Sequence, residues 1–87
     1  MKDKGEKFKI KRTIVIEEEV THHEYIAQRL KQIRKKRGLN QTQLSKKIGL
    51  SRTSIVNMES GNQKISIDNL YMLCKILDVK SSEFLPF

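Results

Sequence analysis

Residues 40–61, NQTQLSKKIGLSRTSIVNMESG, decide how the chain folds. Asn40 and Gln43 have the spacing of a capping box, in which each side chain satisfies a backbone N–H that the first helical turn leaves without a partner. Leu44 and Ile48 give the helix that follows an inner face, and Gly49 stands where helices end in a left-handed residue. Ser51 opens a second helix, whose Ile55 and Met58 face inward and which stops at Gly61. Two short helices over 41–49 and 52–60 are therefore expected, joined by the corner Gly49-Leu50-Ser51.

The outer face of the second helix raises the question of function. Positions 52, 53, 56, 57 and 60 share one side of a helix, and 55, 58 and 59 lie toward the other. The first set is Arg52, Thr53, Val56, Asn57 and Ser60. Arginine can fork to guanine O6 and N7, asparagine can pair with adenine N6 and N7, and the methyls of Thr and Val can pack on the thymine methyl. A polar face alone decides nothing, since most exposed helices have one. Two short, capped helices around a glycine corner are, however, the helix-turn-helix arrangement, with its second helix projecting.

Charge points the same way. The chain has 87 residues, 18 Lys and Arg against 10 Asp and Glu, and a formal charge of +8. From Tyr25 to Met58 the charged residues are Arg29, Lys31, Arg34, Lys35, Lys36, Arg37, Lys46, Lys47 and Arg52, all positive. A field of one sign calls for an anionic partner, nucleic acid or an acidic membrane surface, where a merely solubilising surface mixes both signs. The cations flanking the two helices suit a rim that neutralises a phosphate backbone.

The length allows one small domain with a single core. Cys74 is the only cysteine and sits in an apolar helical pattern, so it reads as a reduced core thiol. No apolar run approaches the roughly 20 residues of a membrane span, and the N-terminus lacks a signal-peptide pattern, so the expectation is a cytoplasmic protein with no membrane partner. No Gly-rich phosphate loop and no nucleophile paired with a base are present. His22 and His23 are adjacent and diverge on a helix, which argues against a shared metal. No enzyme activity, cofactor or metal is expected.

Outside the central stretch, residues 1–7 read as a flexible arm. Over 8–20, Phe8, Ile10, Ile14, Ile16 and Val20 alternate with polar residues, a period of two that predicts a β-strand for dimerisation or partner binding. If two copies run antiparallel about Ile14, Phe8 faces Val20, Lys9 faces Glu19 and Lys11 faces Glu17, all favourable pairs. The alternatives are an unpaired arm, or addition of the strand to another protein's sheet. Residues 21–87 form the helical domain. Thr21 and Glu24 open its first helix as a capping box, Ile26, Leu30 and Ile33 line one face, and the helix stops near Gly38. A fourth helix begins after Ser66 with Ile67, Leu70, Leu73, Cys74 and Leu77 as its apolar set, and Ser81 can cap a last turn through SEFL. The C-terminal SSEFLPF, with Phe84, Leu85 and Phe87, offers apolar area for a second possible interface. The fold class is thus mostly α, with four to five short helices and an N-terminal strand pairing between chains.

The segment Leu30–Leu85 resembles the Cro/cI-like helix-turn-helix domains of phage repressors and related bacterial regulators. Gly38-Leu39, Gln41, Leu44, Gly49, Ser51, Ile55, Glu59 and Gly61 fall at that family's spacing. The resemblance implies a lambda-repressor-like domain that binds double-stranded DNA, in which Arg52, Thr53, Val56 and Asn57 read base edges. It implies DNA-backbone contacts for Gln41, Asn40, Asn62 and Lys64, joined by Ser51 and Ser60, and a salt bridge from Arg34 to Glu59 that ties the first helix to the third. Three departures touch packing rather than the reading face: Ser45 where Ala is frequent, Ile65 near a frequent Pro, and Asp78 for a frequent Gly. The implied function is a transcriptional regulator, by family habit a repressor, acting as a homodimer on a two-fold-related operator. The alternative is an antitoxin-like module that sequesters a partner protein through its strand and autoregulates through the helix-turn-helix.

Overall fold

The computed structural model describes residues 7–11 and 17–85, with side chains from residue 21 onward. Two strands, β1 (Lys7–Lys11) and β2 (Glu17–Thr21), precede four helices: α1 (His22–Lys36), α2 (Gln41–Ile48), α3 (Arg52–Ser60) and α4 (Ile67–Leu77). A single 3-10 turn, Ser81–Glu83, follows.

Each of the four α-helices starts at the capping residue expected for it. Thr21 accepts from Glu24 N at 3.0 Å while Glu24 accepts from Thr21 N at 3.1 Å. Asn40 and Gln43 exchange the same pair of bonds at 2.7 and 2.8 Å. Ser51 and Ser66 cap α3 and α4 through Ser54 N and Asn69 N. Gly49 ends α2 at φ 79° and Gly61 ends α3 at φ 85°. A Cβ at either position would meet open space, so the requirement there is for the left-handed backbone and not for room. Asp78 ends α4 in the same conformation, φ 56°, where glycine would be the easier residue. Ser81 is not a cap: it begins the 3-10 turn, whose N-cap is Lys80 with no side-chain bond.

The core gathers Leu30 and Ile33 from α1, Leu44 from α2, Ile55 and Met58 from α3, Leu73 and Leu77 from α4, and Phe84. Leu39, Ile48, Leu50, Ile65, Leu70 and Cys74 pack around it half-buried. Ser45 is buried, and its hydroxyl donates to Thr42 O at 2.7 Å, so the extra oxygen relative to alanine is satisfied within α2. Two expectations are corrected. Phe84 is 0% exposed and closes the core, which withdraws it from any interface, and Ile67 is 78% exposed and stands outside the core. A sequence period cannot separate an inner position from one a turn beyond the end of the packed stripe.

The N-terminal segment also differs from its expectation. β1 and β2 pair antiparallel within one chain, and the pairing matches Phe8 with Val20, Lys9 with Glu19 and Lys11 with Glu17. That is the register predicted for two chains, realised inside one. The physical reason is that a self-complementary segment can meet itself across a five-residue connection, which costs less entropy than bringing a second chain. Residues 12–16, with Ile14 and Ile16 of the expected dimer strand, lie outside the described residues, as do 1–6 of the expected arm; Lys7, also assigned to the arm, belongs to β1.

Candidate nucleic-acid interface

α2 and α3 meet through the corner Gly49-Leu50-Ser51, where Gly49 N and Leu50 N both donate to Ser45 O, at 2.9 and 3.0 Å. These bonds close α2 and turn the chain within three residues, leaving α3 seated on the core by one face. Ile55 and Met58 are fully buried there and Glu59 nearly so. On the opposite side Arg52, Thr53 and Ser60 are exposed and Val56 and Asn57 half-buried. The face chosen from the sequence is thus the one turned outward, and its residues stand together.

Glu59 carries the only buried negative charge among the described residues. Arg34 grips it as a fork, Nε to Oε2 at 2.6 Å and Nη2 to Oε1 at 3.1 Å, with side chains 7% and 3% exposed. The third arm of Arg34, Nη1, donates to Leu39 O at 2.8 Å. A buried arginine–carboxylate pair is tolerated only when its remaining donors and acceptors are used, and among the described residues no buried side-chain N or O lacks a partner. The pair locks α1 to α3 and keeps the negative charge of Glu59 away from any anion approaching α3.

Three contacts in this region were not visible in the sequence. Gln41, the first residue of α2, donates from Nε2 to Glu59 Oε1 at 3.2 Å. Its Oε1 in turn accepts from Arg52 Nη2 at 3.2 Å. Gln41 lies 18 residues from Glu59 and 11 from Arg52, separations no local period reports. Likewise His23 Nε2 donates to Gly61 O at 3.0 Å, fixing the end of α3 to the start of α1.

Asn40, Asn62 and Lys64 are exposed, and Gln41 is half-buried at the start of α2. Asn40 spends its side-chain oxygen on the cap, which leaves its amide NH2 to donate outward. The hydroxyls of Ser51 and Ser60 donate within α3, to Ser54 Oγ and Asn57 O at 3.1 Å each, so either would have to turn to reach a phosphate.

Of the nine cations between Tyr25 and Met58, Arg34 is committed to Glu59 and Arg29 to Glu83 at 3.1 Å. The other seven are exposed. They are not one rim. Lys36 and Arg37 line a cleft of about 430 Å³ between α1 and the segment Asp78–Glu83, to which α2 and α3 contribute no residue. Lys46 and Lys47 stand in the last turn of α2, where the helix dipole favours cations.

A family model for the helix-turn-helix matches residues 30–84. Among solved structures, the chain is similar to the restriction-modification controller protein C.AhdI from Aeromonas hydrophila, with 30% identity over 74% of this chain and 96% of that one, and a TM-score of 0.67. It is similar to the master regulator for biofilm formation SinR, solved in complex with DNA, with 33% identity over 66% of this chain and 92% of that one, at TM-score 0.61. The clp gene regulator ClgR from C. glutamicum, at 18% identity, 75% and 84% coverage and TM-score 0.71, shares the fold. A comparison with curated protein sequences gives no match.

Proposed function

The chain belongs to the helix-turn-helix family of DNA-binding transcription regulators, and from that premise we propose a sequence-specific repressor that acts as a homodimer in the cytoplasm. The observation that carries the reading is the division of α3: Ile55, Met58 and Glu59 hold it to the domain, and Arg52, Thr53, Val56 and Asn57 stand on its outward side. A helix seated in this way can enter the major groove with its first turn against base edges, while Asn40, Gln41, Asn62 and Lys64 meet phosphates and set the register. Repression then follows from occupancy of a promoter.

Two relatives support the reading: C.AhdI is a restriction-modification controller protein, and SinR is a master regulator seen in complex with DNA. Dimerisation is supported by an apolar strip on α4, where Ile67, Tyr71 and Met72 are 78%, 61% and 38% exposed. Large apolar side chains left together on a surface mark an interface. Two copies related by a two-fold axis would place their α3 helices one helical turn of DNA apart. A second reading, a module that captures a partner protein, rests on the hairpin: β1 and β2 each keep an outer edge with no strand beside it among the described residues, open to strand addition.

Selection of bound sites from a random DNA pool tests the proposal, because the selected site reports preference, symmetry and half-site spacing together. Arg52→Ala should cost roughly 1–3 kcal/mol at one base pair, whereas Lys64→Ala should weaken all sequences alike and lower the slope of log K against log salt by about one. A chain that prefers no sequence over competitor DNA at physiological salt refutes the regulator reading and leaves the partner-capture module.

A further inference from the structure

We infer that the cleft between α1 and residues 78–83 is a binding site for a small phosphate ester, a sugar or nucleoside monophosphate. The inference does not depend on the DNA-binding reading, since α2 and α3 contribute no residue to this cleft.

Two arginine clamps give the cleft its shape. At one end Arg37 Nη2 donates to Asp78 O at 2.9 Å. At the other, Arg29 donates through Nε to Glu83 O at 2.6 Å, through Nη2 to Glu83 Oε1 at 3.1 Å and through Nη1 to Gln32 Oε1 at 2.6 Å. Positions 29, 33, 36 and 37 share one side of α1 and its cap, so the clamps stand about 12 Å apart along the helix axis. The segment 78–83 is thus tied down at both ends. The space of about 430 Å³ beside it is already formed, and sites for small ligands run from roughly 300 to 1,000 Å³.

Charge selects what can enter. The lining carries Arg29, Lys36, Arg37 and Lys80 against Asp78 and Glu83. Arg29 and Glu83 neutralise each other. Lys36 and Lys80 are exposed and make no hydrogen bond or ion pair among the described residues, and Arg37 uses one of its three nitrogens. Three cations gathered in one concavity repel each other, and a phosphate that accepts from them relieves the repulsion with charge-assisted bonds.

Two further features call for more than a bare anion. Asp78 also lines the cleft, and its carboxylate has no partner among the described residues. An ionised carboxylate accepts from a hydroxyl or amine and repels a second anion, so it favours a ligand with donors beyond its phosphate. Ile33, buried, and Val79, half-buried, add an apolar wall for the body of such a ligand. A bound ester would join Lys36 on α1 to Lys80 at the start of the last turn, a third tie across the cleft, and would stabilise the fold by linkage.

The test titrates the full chain with ribose phosphate, adenosine monophosphate and inorganic phosphate, followed by calorimetry and by NMR of the methyl groups. At least one ester should bind saturably and more tightly than inorganic phosphate, move the methyl signals of Ile33 and Val79 and not those of Val56 on α3, and raise the thermal midpoint. Lys36→Gln and Lys80→Gln should each weaken that ester by about five- to tenfold. Asp78→Asn, which keeps a residue tolerant of the left-handed backbone, should narrow the margin of the ester over inorganic phosphate. Lys47→Gln, which removes an exposed cation outside the cleft, should change nothing. An equal loss from Lys47→Gln would mean diffuse attraction to a basic protein and overturns the inference. Inorganic phosphate binding as tightly as either ester overturns it too, as does the absence of saturable binding by all three. If the esters fail and Lys36→Gln and Lys80→Gln each lower the salt slope of DNA binding by about one, the cleft meets a DNA backbone instead and the inference falls.

Discussion

Replacing Glu59 with alanine should remove much of the stability of the helical domain. The substitution leaves the Arg34 guanidinium, whose side chain is 7% exposed, with Leu39 O at 2.8 Å as its one remaining acceptor. Breaking a buried ion pair from one side costs about 3–5 kcal/mol, because the stranded charge has lost both water and its counter-ion. At about 0.05–0.15 kcal/mol per residue, a domain of this size has roughly 3–10 kcal/mol in all, so the loss is a large share of the total. Urea unfolding followed by far-ultraviolet circular dichroism measures it: the midpoint should fall steeply while the m-value holds. Joint replacement, Arg34→Met with Glu59→Leu, buries no charge and should recover most of the loss. A cost below about 1 kcal/mol for Glu59→Ala would refute the reasoning, since Arg34 would then be escaping to solvent at no penalty.

Phe84→Ala should cost about 3–5 kcal/mol in the same assay, because the ring is fully buried in the core cluster and its removal leaves a cavity there. A surface role for the C-terminal segment would make that change nearly neutral. Asp78→Gly should raise thermal stability, by up to about 1 kcal/mol, because it relieves a left-handed non-glycine residue and removes a negative charge from the C-terminal end of a helix. Asp78→Val, β-branched at φ 56°, should lower it by at least as much.

The limits of the sequence follow from which interactions are local. Thr21, Asn40, Ser51 and Ser66 act on N–H groups three residues away, so each helix start is written in its own neighbourhood and was legible there. The same is true of Gly49 and Gly61, and of the division of α3 into an inner and an outer face, which needs only the helical period. The match over residues 30–84 extends that legibility to the fold and the broad function. The assignment of individual side chains to bases and phosphates is a reading of the outward face, open to the selection experiment.

What the sequence left open was settled by contacts between distant residues. Self-complementary charges over 8–20 suggested one strand pairing between two chains, but a register summing to a constant is the same for one chain folded back, which is how β1 and β2 pair. Apolar pattern put Ile67 in the packed set of the fourth helix and Phe84 at a possible interface, and only the packed core reverses them, the first exposed and the second fully buried. The nine cations looked like a single field because a sequence is a line; folding sends Arg34 inward to Glu59 and Arg29 across to Glu83. Gln41 changed most. By itself the sequence determined that it opens a helix; only the tertiary structure sets it between Glu59 and Arg52, because hydrogen bonds across 18 and 11 residues exist once three helices have packed and not before.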